Sequence, residues 1–258
     1  MSIGDFNLWA WHMATTIEKI GLVGGVGWPA TLMYYERLCK SAQAYLPGGS
    51  PRICIESLDM RETLAHRGQS DDPGSWSGFD RIFRDALALT EHAGCTVAAI
   101  ASVTPHARFA EITAGATIPV VNILDAVTGA AHDQGLGSAI MLGTPVTMQS
   151  TWFHDGLRAA GIACQDDLVQ GDINEIAKLL ETFFYSGRGP EGRADLLAFC
   201  HRVSATKPDA AIILACTDFA SAFPEFADYP VFEVEGLTFL DAGTAHVKAI
   251  LTAATRPG

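Results

Sequence analysis

The strongest constraint on the fold is an alternation of short apolar runs with longer amphipathic segments. The runs are rich in Val, Ile and Ala, as strands buried on both faces are. Between them lie segments with helical periodicity, for example residues 79–94 and 174–187. This alternation predicts an α/β fold with parallel sheets. The seven apolar runs cover residues 19–25, 52–58, 96–102, 119–123, 138–143, 209–215 and 230–234.

The first and second parts of the chain resemble each other. KIGLVGGVG resembles SAIMLGTPV, and VAAIASVTPHARF resembles AAIILACTDFASAF. Gly24 and Gly143 are 119 residues apart in this alignment, and Ser102 and Cys216 are 114 residues apart. Two similar offsets predict a duplicated architecture.

The repeat predicts two pseudo-symmetric halves, each Rossmann-like or flavodoxin-like, with a cleft between them. We expect the first half to cover residues 18–120 and the second to cover 121–237. Residues 1–17 contain several aromatic side chains and are expected to form either an N-terminal arm that packs on the body or on a second subunit, or a frayed terminus.

Charge and cysteine content limit the partners. A net charge of -12 without a basic stripe argues against nucleic acids and anionic membranes. No apolar run is long enough to span a bilayer. Six scattered cysteines without a C-x-x-C pair exclude a disulfide scaffold and a zinc site. We therefore expect a cytoplasmic protein that binds a small molecule and no metal. The glycine spacing after the first run does not fit a dinucleotide fingerprint.

Two side chains follow apolar runs at equivalent places in the repeat. Cys216 and Ser102 each stand where a predicted strand passes into a helix. Ligands of parallel sheets bind beyond the carboxyl ends of the strands. A helix start can hold a carboxylate and is expected to lower the pKa of a thiol from about 8.5. If the halves face each other, the two groups approach one ligand from opposite sides, which suits stereoinversion at an acidic carbon.

Five segments between about Lys19 and Leu251 resemble the aspartate/glutamate racemase superfamily. The sequence around Cys216 resembles its second catalytic motif, usually G/A-C-T-E, and ASVTPH takes the place of the first, usually C-N-T-x-H. The likeness is greatest to the branch of bacterial broad-specificity amino-acid racemases. The five segments are IGLVGGVGWPATLMYYERL from Ile20, IASVTPHARF from Ile100, IPVVNILDA from Ile118, MLGTPVTM from Met141 and ILACTDF from Ile213.

The resemblance implies a racemase without pyridoxal phosphate, acting on a small carboxylate or amino acid, and a homodimer. It also implies that the last segment returns to the first half, which then covers residues 18–120 plus 238–258. It implies that Cys216 is an acid/base catalyst and that Ser102 lies at the opposing catalytic position. Arg61 and Arg67, near a long predicted loop, are candidates to bind a distal carboxylate. The other implied substrate-binding residues are the hydroxyl donors Thr104, Thr144 and Thr217, the first-turn residues Gly24, Gly25 and Thr31, and Val103 in the place of the motif's Asn.

The sequence departs from the family pattern at four places, one of them Thr238, which takes the place of the histidine in the family's C-terminal motif D-T-x-x-x-H. Ser102 replaces a cysteine or threonine, Val103 replaces the substrate-binding Asn, and Asp172 falls roughly where relatives carry a lysine. His106 matches the motif's histidine and is either a functional group or a helix cap. Three functions therefore stay open. They are a racemase, a single-cysteine decarboxylase, isomerase or lyase of the same superfamily, and a carboxylate-binding protein without catalysis.

Overall fold

The computed structural model describes residues 16–68, 72–164 and 168–256, so most of the predicted N-terminal arm lies outside the described residues. Within them the chain forms two central sheets and a short antiparallel pair. The strands are β1 (Thr16–Ile17), β2 (Ile20–Gly24), β3 (Ile53–Ser57), β4 (Val97–Ile100), β5 (Val120–Val121), β6 (Ser138–Gly143), β7 (Ala163–Cys164), β8 (Ala211–Ala215), β9 (Val231–Val234), β10 (Leu237–Asp241) and β11 (Thr255–Arg256).

Ten α-helices connect or flank these strands in the described part of the chain. They are α1 (Trp28–Ser41), α2 (Met60–Ala65), α3 (Ser77–His92), α4 (Phe109–Ile112), α5 (Ile123–Asp133), α6 (Pro145–Gln149), α7 (Thr151–Ala159), α8 (Gln170–Leu179), α9 (Gly189–Ser204) and α10 (Ala242–Ala254). A π-helical turn, Leu180–Phe184, extends α8, and 3-10 segments follow β4 at Thr104–Arg108 and β8 at Thr217–Ala222.

The first sheet has four parallel strands in the order β3-β2-β4-β5. Every residue of β2 and β4 is buried, because helices cover both faces of the sheet. Phe79 and Phe83 of α3 pack on one face, and Tyr34 of α1 and Ile250 of α10 pack on the other. The continuous apolar runs of the sequence follow from this two-sided burial.

The second sheet has five strands in the order β7-β6-β8-β10-β9. Its first four strands are parallel and repeat the order of the first sheet, as the internal repeat predicts. The prediction of parallel sheets is confirmed, and β9 adds one antiparallel strand at the edge, where it pairs with β10. Glu235 and Gly236, both with positive φ, form the two-residue turn that makes this hairpin.

The two halves exchange helices. α5 follows β5 of the first sheet but places Val127 in the core of the second half, and α10 follows β10 of the second sheet but places Val247 in the core of the first. Asn122 and Asp241 cap these helices through their side chains. The expected boundaries at 120 and 238 therefore shift, because β5 ends at residue 121 and β10 belongs to the second sheet through residue 241.

A buried ion pair joins α1 to the point where the chain returns to the first half. Arg37 Nη1 lies 2.6 Å from Asp241 Oδ2, and the two side chains are only 5% and 3% exposed. Arg37 also donates to the Thr244 hydroxyl and, over 3.5 Å, to the carbonyl of Ala220. Arg37 thus connects α1 and α10 to the segment that follows β8. In the described part of the chain, no helix is long and apolar enough to cross a membrane.

Candidate functional site

A cavity of about 270 Å³ lies between the two halves, at the carboxyl ends of β2, β4, β6 and β8. Each of these strands is followed at once by residues of the cavity wall. This is where a parallel α/β architecture is expected to bind its ligand. The wall residues that follow the strands are Val26 and Gly27, Ser102 to Pro105, Thr144 and Pro145, and Cys216 to Asp218.

Cys216 follows β8 directly and reaches the cavity with a residue exposure of 5%. Burial and the neighbouring Asp218 carboxylate raise the pKa of its thiol well above the usual value. The sequence-based expectation of a lowered thiol pKa is therefore wrong. A short 3-10 segment, not a long α-helix, follows Cys216, and the nearest charge is negative. The raised pKa favours the protonated thiol over the thiolate near neutral pH.

Asp218 stands in the motif around Cys216, but the sequence analysis gave it no role at the site. It is 5% exposed and lines the cavity, and its Oδ2 accepts a hydrogen bond from the Cys216 thiol over 3.7 Å. Its Oδ1 is buried and makes no hydrogen bond in the described part of the chain. Burial raises the pKa of the carboxyl to about 6, while the Cys216 thiol and the Ala30 amide oppose the rise. A Cβ at Gly27 would stand 2.9 Å from Oδ2, so a glycine there leaves room for the carboxylate.

Ser102 lines the cavity after β4, on the opposite half from Cys216. No described side chain hydrogen-bonds to its hydroxyl. His106 is buried and turned away, since its Nε2 faces the Ile100 carbonyl and its Nδ1 accepts from the Ile123 amide. Burial, together with nearby His246, lowers the pKa of His106 to about 3. His106 is therefore neither a base for Ser102 nor part of the cavity wall.

A neighbouring pair of buried aromatic side chains joins three parts of the fold. Tyr34 of α1 hydrogen-bonds to Nδ1 of His246 on α10 over 2.9 Å. Nε2 of His246 bonds to the Val121 carbonyl of β5 over 2.9 Å. Burial lowers the pKa of His246 to about 4, so the ring is neutral near pH 7. This histidine, which the sequence analysis did not single out, supports the junction between the halves.

Threonine hydroxyls from both halves meet at the cavity. Thr104 Oγ1 lies 3.4 Å from Thr144 Oγ1 and 3.3 Å from Thr147 Oγ1. Thr144 also caps α6, whose first residue is a proline, through the Thr147 amide. Thr217, next to Cys216, lines the same cavity. The three threonines named from the sequence motifs thus line one cavity. Thr147 contacts Thr104 and Thr144 from outside the cavity wall.

The predicted first turn supports the cavity from outside its wall. Thr31 Oγ1 accepts a hydrogen bond from the Gly25 amide over 2.8 Å. Gly25 has φ of 82°, and a Cβ at Gly24 would stand 2.5 Å from the Thr31 side chain. Two glycines and a threonine therefore fix a tight turn after β2. This turn presents Val26 and Gly27 to the cavity.

The two candidate arginines have different surroundings. The Arg61 side chain is 91% exposed, pairs with Asp59 over 2.9 Å and does not line the cavity, so its expected role is not met. Arg67 lines the cavity. Burial, and then the charges of Cys216 and Asp218, raise the pKa of the Tyr185 phenol. The positive charge of Arg67 opposes this rise.

The far wall of the cavity comes from the end of α8 and its π-helical turn. Glu181 and Tyr185 line this wall, and sequence reasoning missed both. Asp172 lies at the other end of α8, where it caps the helix and pairs with Arg202 over 2.7 Å. It therefore has a structural role and does not replace a substrate-binding lysine. No cluster of three metal-ligating side chains occurs among the described residues.

The fold and cavity define a class of two-half α/β proteins with a thiol at the carboxyl end of a central strand. The model of the Asp/Glu/Hydantoin racemase family matches residues 23–250. The chain belongs to this family.

Solved structures agree in fold. An aspartate racemase homologue from Pyrococcus horikoshii superposes with a TM-score of 0.75 at 21% identity, covering 92% of this chain and 99% of that one. An aspartate racemase from Picrophilus torridus gives a TM-score of 0.69 at 17% identity, with 93% and 96% covered. A mutant of arylmalonate decarboxylase gives 0.54 at 14% identity, with 93% and 97% covered. At these identities the likeness concerns the fold alone.

Proposed function

We propose that the protein is a cofactor-independent amino-acid racemase or epimerase in which Cys216 is the acid/base at the carbon next to a carboxylate. One observation carries the proposal. Cys216 and Ser102 line a single cavity from different halves, each directly after a central strand. A ligand between them has one face toward each group, as inversion at carbon requires.

A proton must leave Cys216 before its sulfur can act as a base. The hydrogen-bonded Oδ2 of Asp218 is the acceptor at hand, and a carboxyl with a pKa of about 6 can exchange a proton near neutral pH. The proton moves from Sγ to Oδ2, and the thiolate then removes the α-proton. The electron pair of the C–H bond passes into the enolate of the substrate. The Ser102 hydroxyl then donates its proton to the opposite face of the enolate, which completes the inversion. Asp218 releases its proton to solvent and Ser102 takes one from solvent, so that the site returns to its starting state.

The hydroxyls of Thr104, Thr144 and Thr217 support binding of the substrate carboxylate. They converge on the cavity from both halves, and two of them are within 3.4 Å of each other. A carboxylate held by such donors would fix the α-carbon near both catalytic groups. The turn formed by Gly24, Gly25 and Thr31 assists by holding one wall in place.

A second function is favoured by the asymmetry of the site. The pKa of Cys216 is raised, and no described base contacts Ser102. A thiol that donates a proton to one face of an enolate suits a decarboxylase, isomerase or lyase. Arylmalonate decarboxylase shares the fold at a TM-score of 0.54. A binding protein without catalysis is the third function to be tested.

Incubation of the protein with amino acids and substituted malonates in D2O separates these functions. Loss of the α-proton signal with formation of the other enantiomer, followed by proton NMR and chiral chromatography, supports the racemase. Release of CO2 with formation of a single enantiomer of the product supports the decarboxylase. No exchange and no CO2 release, with ligand binding retained, would contradict both enzymatic proposals.

A further inference from the structure

Tyr185 is a polar residue of the cavity wall whose hydroxyl has no partner in the protein. The residue lines the cavity, and its hydroxyl makes no hydrogen bond within the described part of the chain. The hydroxyl is also not fully buried, since Oγ of Ser204 and Oδ1 of Asp218 are the fully buried unpaired side-chain atoms among the described residues. The phenol of Tyr185 is therefore available to a ligand.

The π-helical turn keeps Tyr185 on the cavity face of its helix. Ala177, Glu181 and Tyr185 all line the cavity at intervals of four residues. In an α-helix, positions four apart drift by about 40° around the axis, because a turn holds about 3.6 residues. The wider turn at Leu180–Phe184 offsets this drift, so Tyr185 stays on the face that Ala177 and Glu181 occupy. Such π-helical turns occur frequently at functional sites.

The same turn packs on the segment that contains Cys216. The rings of Phe184 and Phe219 meet edge to face, with their centroids 4.9 Å apart, and both side chains are fully buried. The amide of Phe219 donates to the carbonyl of Cys216 over 3.1 Å. Packing within the second half therefore fixes the position of Tyr185 relative to Cys216.

The phenol and the thiol are near each other without a direct contact. Burial raises the pKa of Tyr185, and the negative charges of Cys216 and Asp218 raise it further, while Arg67 has a smaller opposing effect. No hydrogen bond joins the phenol to either group within the described residues. All three side chains line one cavity, so a ligand group can lie between them. Because the phenol stays protonated near neutral pH, it donates to an anionic ligand group.

The threonine hydroxyls on the other side of the cavity are partly committed to one another. Oγ1 atoms of Thr104, Thr144 and Thr147 lie 3.0, 3.3 and 3.4 Å apart. Each hydroxyl has one hydrogen to donate, whereas a carboxylate accepts at about four lone-pair sites. The hydroxyls of Tyr185 and Thr217 make no hydrogen bond to any described residue and stand on the same half as Cys216. They are the uncommitted donors on that side.

We infer that Tyr185 is a further catalytic residue, whose hydroxyl donates a hydrogen bond to the substrate carboxylate beside Cys216. The inference rests on the proposed function for the position of the α-carbon. When Sγ removes the α-proton, the electron pair of the C–H bond passes into the enolate, and negative charge grows on the carboxylate oxygens. A donor already in place there stabilises the enolate more than the substrate, which raises kcat.

Iodoacetate is a direct probe of this contact, because its carboxylate is attached to the carbon that a cysteine sulfur attacks. Sγ of Cys216 displaces iodide at that carbon after the thiol loses its proton. Iodoacetamide offers the same carbon and leaving group without the negative charge. Mass spectrometry of the peptide that contains Cys216 gives both rates, each divided by the rate of free cysteine at the same pH. In the native protein the iodoacetate/iodoacetamide ratio of these normalised rates is expected to exceed one by at least about tenfold.

Tyr185→Phe removes the hydroxyl alone. Its normalised iodoacetate rate is expected to fall at least about tenfold, as for a lost hydrogen bond to a charged group, while its iodoacetamide rate stays nearly unchanged. The control is Tyr229→Phe, because Tyr229 is 60% exposed and lies outside this cavity wall, and its ratio should equal the native one. An unchanged ratio in folded Tyr185→Phe would overturn the inference. Tyr185→Leu serves as a second variant with the same expected fall, and a native ratio of one or less would overturn the inference without any variant.

α-Proton exchange in D2O distinguishes this inference from the proposed function. In Tyr185→Phe, kcat for exchange is expected to fall by about 10²-fold with a smaller change in KM, as for the loss of one oxyanion donor. A raised KM with native kcat would overturn the catalytic role, because it would show equal binding of substrate and enolate. Native exchange that persists in Tyr185→Phe with an unchanged alkylation ratio overturns the inference and leaves the function supported. Absence of exchange in the native protein, with the expected fall of the ratio in Tyr185→Phe, overturns the function and leaves the carboxylate contact supported.

Discussion

The buried carboxyl of Asp218 predicts a specific dependence of stability on pH. An aspartate in an unfolded chain has a pKa of about 3.9, whereas burial raises the pKa of Asp218 in the folded protein to about 6. The folded state therefore holds this proton more tightly than the unfolded state. Its stabilising effect is complete below about pH 4 and is lost as the pH rises through about 6.

The size of the effect follows from the shift. About two pKa units at about 1.36 kcal/mol each correspond to about 3 kcal/mol of unfolding free energy. Asp218→Asn cannot ionise and avoids this loss. Relative to the native protein, the variant should therefore gain about 3 kcal/mol between pH 4 and pH 7.5.

Urea denaturation at pH 4, 5, 6 and 7.5 measures the gain as a difference between the two proteins. At an m-value of about 3 kcal/mol/M, the midpoint difference should change by about 1 M over this range. The exposed Asp228→Asn variant measures the general effect of removing a carboxylate. A difference between Asp218→Asn and native protein that stays flat from pH 4 to 7.5, or that falls, would refute the reasoning.

Other parts of the fold give further predictions. Arg37→Met should lower the unfolding free energy by about 3–5 kcal/mol because Asp241 would be left buried without its cation, whereas Arg61→Met, at an exposed ion pair, should leave the unfolding free energy nearly unchanged. Urea denaturation tests this pair of variants, and equal losses would contradict it. Ser102→Cys should make α-proton exchange of the two enantiomers more nearly equal, and unchanged asymmetry by NMR would contradict a limiting serine. Cys216 should react with iodoacetamide more slowly at pH 7.5 than a free cysteine, and fast labelling by mass spectrometry would show that its pKa is not raised.

The parallel strands and the two similar halves could be predicted from the sequence because they follow from local patterns and their repeat. Apolar runs and their repeat give β2, β4, β6 and β8 and place Ser102 at an equivalent position to Cys216. The run at residues 230–234 predicted the strand β9, but β10 and its antiparallel pairing with β9 were not predicted, because that pairing depends on contacts between segments. The exchange of α5 and α10 between the halves is a tertiary arrangement that the resemblance, rather than the pattern, suggested for α10.

The chemistry of the site was less predictable than its location. Asp218 differs from other acids only through its surroundings, since Gly27 and Ala30 from the opposite half enclose its carboxyl. The same burial reverses the expected pKa shift of Cys216. Arg61 and Arg67 could not be distinguished by sequence, because the Asp59 cap holds only the first of them at the surface.

The central claim is that Cys216 exchanges the α-proton of a substrate held between the two halves. The most direct test compares α-proton exchange in D2O between native protein and Cys216→Ser, with leucine and aspartate as substrates. Exchange is expected in the native protein and should fall by about 10²–10⁴-fold in the variant, the contribution typical of a positioned acid/base, with an unchanged circular dichroism spectrum. Exchange at the native rate in a folded Cys216→Ser protein would contradict the account.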